Sequence, residues 1–133
     1  MGRFTLLAVG AVVGWALVEW RPFRVEVSGA SMAPALLAGD WVLAARAGTI
    51  RRGDVVVLVH PLRPRREMVK RVTGVPGDEL APDRRLGPDE WFVAGDNPGA
   101  STDSRELGPV PSSAISGRVL FVYWPPERAG LVR

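Results

Sequence analysis

The sequence predicts a mostly β domain, barrel-like or sandwich in type, carried behind one apolar N-terminal helix. Two observations lead there. Beyond residue 21, short β-prone runs recur between Gly, Pro and Asp punctuation, with no convincing second helix. Ahead of them, Phe4 to Val18 runs without a single charge. At 133 residues the chain has room for one domain with a modest core. The expected division is an N-terminal apolar segment over residues 1–21 and a single domain over residues 22–133.

As a helix, Phe4 to Val18 would span roughly 22 Å, short of the ~30 Å hydrocarbon layer. Trp15 and Trp20 could extend it as interfacial anchors. A membrane anchor is the preferred reading. A cleaved signal peptide lacks a small-x-small site after the run, and a buried helix would be amphipathic rather than apolar all round. Arg3 lies on one side, with Arg21 and Arg24 on the other, so the positive-inside rule favours a cytoplasmic domain.

Strands are expected at Phe23 to Val27, Trp41 to Arg46, Asp54 to Val59, around Met68 to Val72, and at Trp91 to Ala94. Turn residues separate them: Gly39-Asp40, Arg52-Gly53 and Val75-Pro76-Gly77-Asp78. Leu80 to Asp89 reads as a polar connection, and Ile115 to Trp124 as the longest apolar strand, closing the domain before Pro125-Pro126. Trp41-Val42-Leu43 fits the core slightly better than a lipid-facing edge.

Composition narrows the chemistry. Cysteine is absent, so disulfides, thiolate nucleophiles and cysteine-held metals are excluded. A single histidine, His60, rules out a multi-histidine metal site or relay. No cofactor or metal is called for. The net charge is only +3, its arginines are scattered, and no nucleic-acid motif accompanies them, so no nucleic-acid partner is expected.

Against sixteen arginines stands one lysine, Lys70. Arginine cannot lose its proton in a protein, whereas a desolvated lysine can and then becomes a base. Period-two alternation puts Met68, Lys70 and Val72 on one face, with Glu67, Val69 and Arg71 on the other. Lys70 is therefore set among apolar neighbours and Arg71 toward water. An edge-strand lysine with no chemistry gives the same local pattern.

Two loops could supply what such a base would act on. Ser28-Gly29-Ala30-Ser31-Met32-Ala33-Pro34 places Ser31 after small residues, where backbone N–H groups could form an oxyanion hole. Gly95-Asp96-Asn97 through Ser101-Thr102-Asp103-Ser104-Arg105 concentrates hydroxyls, carboxylates and a guanidinium, which also suits a self-bonded turn.

In order and internal spacing, three boxes resemble those of type I signal peptidases. They are Ser31-Met32-x-Pro34, Lys70-Arg71-Val72-x-Gly74-x-Pro76-Gly77-Asp78, and Gly95-Asp96-Asn97 with Ser101-x-Asp103-Ser104-Arg105. The resemblance covers about Val25 to Val122. It implies a signal-peptidase-like β core and a serine endopeptidase with Ser31 as nucleophile and Lys70 as general base. Ser101 would orient the amine, while Asp96, Asp103 and Arg105 would hold the site. It also implies a precursor polypeptide as substrate, pairing with Val25 to Val27 and Glu67 to Val69, so that Val25, Val27, Met32, Pro34, Met68 and Val69 become substrate-binding candidates. The domain would then face the extracytoplasmic side of the cell membrane, opposite to what the flanking arginines favour.

Two departures mark this chain. Gly29 stands where many bacterial members carry a second, oxyanion-stabilising serine; organellar branches share the glycine. Ala35 replaces a frequent threonine. The Gly-x-Ser-Met-x-Pro form and short length are similar to proteases proposed to remove the leader of nickel-type superoxide dismutase, whose precursor becomes the candidate substrate. A general signal peptidase for exported proteins, and a non-catalytic membrane-tethered binding domain, remain the alternatives.

The chemistry is coherent in itself. A serine hydroxyl attacks well only if a base takes its proton. Lysine can be that base near neutrality if its pKa falls from about 10.4 toward 7–8, a shift of ~3 units or roughly 4 kcal/mol, within reach of burial.

Overall fold

A computed structural model describes residues 2–46 and 48–132. Met1 and Arg133, the outer limits of the two expected segments, and Ala47 lie outside the described residues. The apolar run forms α1 (Gly2–Trp20), longer at both ends than the charge-free stretch because no proline or turn residue stops it at Arg3 or Glu19. Its 19 residues span about 28 Å, close to the ~30 Å hydrocarbon layer. None of them is buried against the domain, which overturns the buried-helix alternative. By length and composition α1 can cross a membrane.

The strands follow as β1 (Pro22–Glu26), β2 (Trp41–Ala45), β3 (Val55–His60), β4 (Arg63–Gly74), β5 (Glu79–Ala81), β6 (Arg84–Arg85) and β7 (Phe92–Ala94). The short helix α2 (Ser104–Leu107) precedes β8 (Ile115–Trp124) and β9 (Gly130–Leu131). One antiparallel sheet runs β1-β2-β8-β3-β4-β7, with β9 added to β8, and β5-β6 form a separate small hairpin. The mostly β expectation is met. Three details differ. Arg63 to Arg66 belong to β4, because Pro61-Leu62 closes a tight hairpin in which Arg63 pairs with His60, and after a register shift pairing resumes at Glu67 opposite Val59. The connection from Leu80 to Asp89 contains most of the β5-β6 hairpin, anchored by buried Leu86. Beyond Pro125-Pro126 the chain returns as β9 to pair with β8.

β3 sits at the centre, and its unbroken Val-Val-Val-Leu run has a reason. Val55 and Val57 pack with Val27, Met32, Leu36, Val42 and Val122 on one side. Val56 and Leu58 pack with Met68, Val72, Val93 and Val110 on the other. A strand buried on both faces has no need of polar alternation. Val42 is fully buried in the first cluster, which places the middle of Trp41-Val42-Leu43 in the core; its two neighbours are half-buried.

Two strand edges matter for function. Among the described residues, β1 pairs only with β2, and β7 pairs with β4 only over Arg71–Gly74. The second edge of β4 is therefore unpaired along Glu67–Val69, and β1 and β4 become the walls of a cleft of about 790 Å³.

Candidate active site

Alternation along β4 sets the site. Met68, Lys70, Val72 and Gly74 are buried, while Val69 and Arg71 are half-buried on the opposite face. Lys70 is only 4% exposed, and its register opposite Val56 puts its stem against the second core cluster. Burial is the largest influence on its amine and pushes the pKa below the usual lysine range; the nearby Asp103 charge opposes this, and Arg66 and Arg105 add to it.

The polar end of Lys70 meets a chain of hydrogen bonds. Its Nζ donates to Ser101 Oγ at 3.1 Å, and the Ser101 hydroxyl donates to Asp103 Oδ2 at 2.6 Å. Asp103 also accepts from the Gly95 N–H at 2.8 Å and from Arg105 Nε at 2.9 Å. Burial alone would raise the Asp103 carboxyl, but these bonds from Arg105, Ser101 and Gly95 outweigh it and hold the group well below the usual carboxylate range. Because Asp103 takes the Ser101 proton, the hydroxyl can offer Lys70 only an acceptor. A neutral amine would spend an N–H there and keep its lone pair for another partner.

Ser31 lines the same cleft as Lys70, in the turn that leads from β1 toward β2. Its carbonyl accepts from the Asn97 N–H at 2.8 Å, and the Asn97 side-chain amide donates to Ala30 O at 3.0 Å. Gly95 is the joint between the two loops. A Cβ there would come within 2.5 Å of the Ser31 carbonyl oxygen and would collide with Ser101 Oγ. Only glycine lets both approach.

Arg71 does not reach free into water, as its face of the strand suggested. It forks onto Asp96 with bonds of 2.9 and 2.8 Å and donates a third to Gly53 O. Asp96 thus acts on the site at one remove, fixing the segment that holds Ser31 through Asn97. A second ion pair ties down the other end of the serine loop: Arg128 Nε donates to both Asp40 oxygens at 2.8 and 2.9 Å, with Asp40 only 1% exposed.

The remaining candidates divide plainly. Val25, Val27, Met32, Met68 and Val69 line the cleft, whereas Pro34 is exposed and lies outside its lining. Gly29 lines it with φ of 74°, in the left-handed region where a serine would be strained, so glycine here is dictated by the backbone. Arg105 caps the site through Asp103, which also serves as N-cap of α2. Sequence reasoning passed over Asn97, Ser104 and the Asp40–Arg128 pair. Ser104 Oγ accepts from the Val93 N–H at 3.0 Å, locking α2 to β7. Asn97 and Ser104 stood inside the quoted boxes; nothing local marks Asp40 and Arg128 as partners across 88 residues.

His60 also borders the cleft, but its Nδ1 accepts from the Leu62 N–H at 3.0 Å. That nitrogen is committed to the hairpin turn.

The family profile described as signal peptidase, peptidase S26, matches residues 1–86 and 79–124. Mitochondrial ATP-independent inner membrane protease subunit 1a of Arabidopsis thaliana is 42% identical, covering 81% of this chain and 74% of its own length. Mitochondrial inner membrane protease subunit 2 of Saccharomyces cerevisiae is 34% identical over 96% of this chain and 83% of its own. The human mitochondrial inner membrane protease subunit 1 is 34% identical over 82% and 74%. The profile spans both the apolar helix and the β domain, and this chain therefore belongs to the signal peptidase family, peptidase S26.

Proposed function

We propose that the protein is a membrane-anchored serine endopeptidase that uses Ser31 and Lys70 to remove an N-terminal leader from a precursor polypeptide. The observation that carries this reading is the buried Lys70 amine, held on Ser101 in the cleft that Ser31 lines. Lys70 takes the Ser31 proton as Oγ attacks the scissile carbonyl, and returns it to the leaving amine. Water activated by the same amine then hydrolyses the acyl-enzyme. With glycine at position 29, backbone N–H groups, including that of Ser31, are the donors to the oxyanion.

The leader lies extended between β1 and β4, adding a strand to edges that are otherwise unpaired. Val25, Val27, Met68 and Val69 offer it apolar walls suited to small side chains. α1 is the anchor, and the family likeness supports a domain on the extracytoplasmic side. Among substrates, the precursor of nickel-type superoxide dismutase is the specific candidate, by the short form and the Gly-x-Ser-Met-x-Pro loop. A general signal peptidase is the second reading, favoured by the same boxes.

Comparing protein N-termini in cells carrying the active enzyme and Ser31→Ala tests all of this. One uncut leader supports the dedicated protease, and many uncut secreted proteins support the general one. No change in any N-terminus, with no acyl adduct on Ser31 from a lipopeptide inhibitor, would sink the peptidase reading in favour of a binding domain.

A further inference from the structure

The tip of the β3-β4 hairpin carries a feature that the proposed peptidase chemistry leaves unexplained. Leu62 is 77% exposed at its apex. Arg63, Arg65 and Arg66 follow it, all exposed, and none is paired with a carboxylate among the described residues. The tip thus sets one exposed apolar side chain beside three guanidinium groups that have no carboxylate partner among the described residues.

Strand register says where this tip points. Pro22, at the end of β1 joined to α1, pairs with Ala45, and Ala45 pairs with Arg118. Arg118 pairs with Val56. From that level β3 runs on through Leu58, opposite Ile115, to His60, opposite Arg63. The hairpin tip therefore projects from the same end of the sheet at which α1 enters, beyond the level of Pro22. The joint between helix and sheet is itself fixed, since the Arg46 N–H donates to Trp20 O at 2.8 Å.

We propose that the β3-β4 hairpin tip docks on the anionic headgroup layer of the membrane that α1 crosses, Leu62 entering the interface and Arg63, Arg65 and Arg66 meeting lipid phosphates. This rests on the reading of α1 as an anchor. The chemistry matches on both counts: a basic cluster is attracted to an anionic leaflet, and an exposed leucine gains by leaving water. The consequence reaches the proposed site, because Leu62, Arg63 and Arg66 also line the cleft. A docked tip holds one end of the cleft at the bilayer surface, where a leader emerging from the membrane would enter it.

The chain has no cysteine, so Leu62→Cys gives one attachment point for an environment-sensitive fluorophore on the full-length protein. It is reconstituted in nanodiscs of phosphatidylcholine alone or with phosphatidylglycerol. Expected is a blue-shifted tip probe, quenched by nitroxide-bearing lipid, in the anionic discs, with both signals reduced by high salt. In the Arg63→Gln/Arg65→Gln background the ratio of docked to free tip falls roughly fivefold for each arginine removed. A tip probe that stays in water in anionic discs overturns the proposal. If those substitutions then slow cleavage of acidic peptides in neutral detergent, the arginines serve the peptide instead. A second probe at Ala11→Cys reads α1 separately: a wet α1 probe defeats the anchor reading, whereas a dry α1 with a wet tip defeats only the docking.

Discussion

Lys70 and Arg71 are neighbours on one strand, both cationic by composition, and the structure treats them in opposite ways. Arg71 faces the side of β4 where Asp96 meets it directly with two bonds, and this hydrogen bonding reinforces a charge that guanidinium would keep anyway. Lys70 faces the core side, where the Asp103 carboxylate is held one hydroxyl away behind Ser101. A carboxylate in contact would fix the ammonium. Separated by Ser101, it raises the amine less than burial lowers it. One residue of register thus divides a tether from a candidate base.

The largest effect should come from erasing that division. Lys70→Arg keeps the charge and much of the stem but leaves no lone pair at neutral pH. Cleavage of a leader peptide should fall roughly 1000-fold or more, with KM far less changed. Activity within tenfold of the parent would move the base elsewhere and break the contrast. The parent's activity should climb with pH as the amine deprotonates, with a midpoint below the ordinary lysine value of about 10.4. A flat profile across that range would contradict a lysine base.

Next in size is the loop where the two sides meet. Gly95 packs under Ser31 and Ser101, while Asp96, one residue on, grips Arg71. Gly95→Ala forces the Ser31 and Ser101 loops apart, and a displacement of about 1 Å should cost roughly 100-fold in kcat. Asp96→Asn should do less to turnover, about tenfold, and more to folding. It leaves a half-buried guanidinium without its carboxylate, at about 1–2 kcal/mol by chemical denaturation. If Asp96→Asn proves silent in both assays, Arg71 is no tether.

Much of this was legible in the chain because it is local. The alternation Met68-Lys70-Val72 and the charge-free run of α1 are short-range patterns that packing then obeys. The ordered boxes carried the site. Less legible were facts created by register and long-range closure. Nothing around Arg71 announces that its outward face meets a carboxylate 25 residues later. The same holds for Asp40 and Arg128, which become partners only because β2 and β8 pair and the chain turns back after Trp124. Arg63 to Arg66 are solvated, but that they extend β4 is a product of the hairpin closed by Pro61-Leu62 and not of propensity. Gly29 was read as a missing hydroxyl, whereas its positive φ makes it a backbone requirement.

The smallest expected effect is on stability, and its sign separates a tether from a base. Burial lowers the Lys70 pKa in the folded protein, so between that value and about 10.4 the unfolded chain binds the extra proton. Below this window the folded state carries the full cost of a buried ammonium; above it both states are neutral and the cost is gone. Lys70→Met fills the same space without charge or donor. It should abolish cleavage yet stabilise the fold at neutral pH by about 1 kcal/mol, a rise in Tm of roughly 4 °C. That advantage should shrink as pH climbs through the window and vanish beyond it. Arg71→Gln should show the reverse, a loss of stability across that whole range, because the Asp96 carboxylate loses its two-bond partner. Thermal melts of the two variants between pH 6 and about 11 therefore decide the matter. If Lys70→Met destabilises at neutral pH, the amine is stabilising the fold as Arg71 does, and it is not held ready to lose a proton.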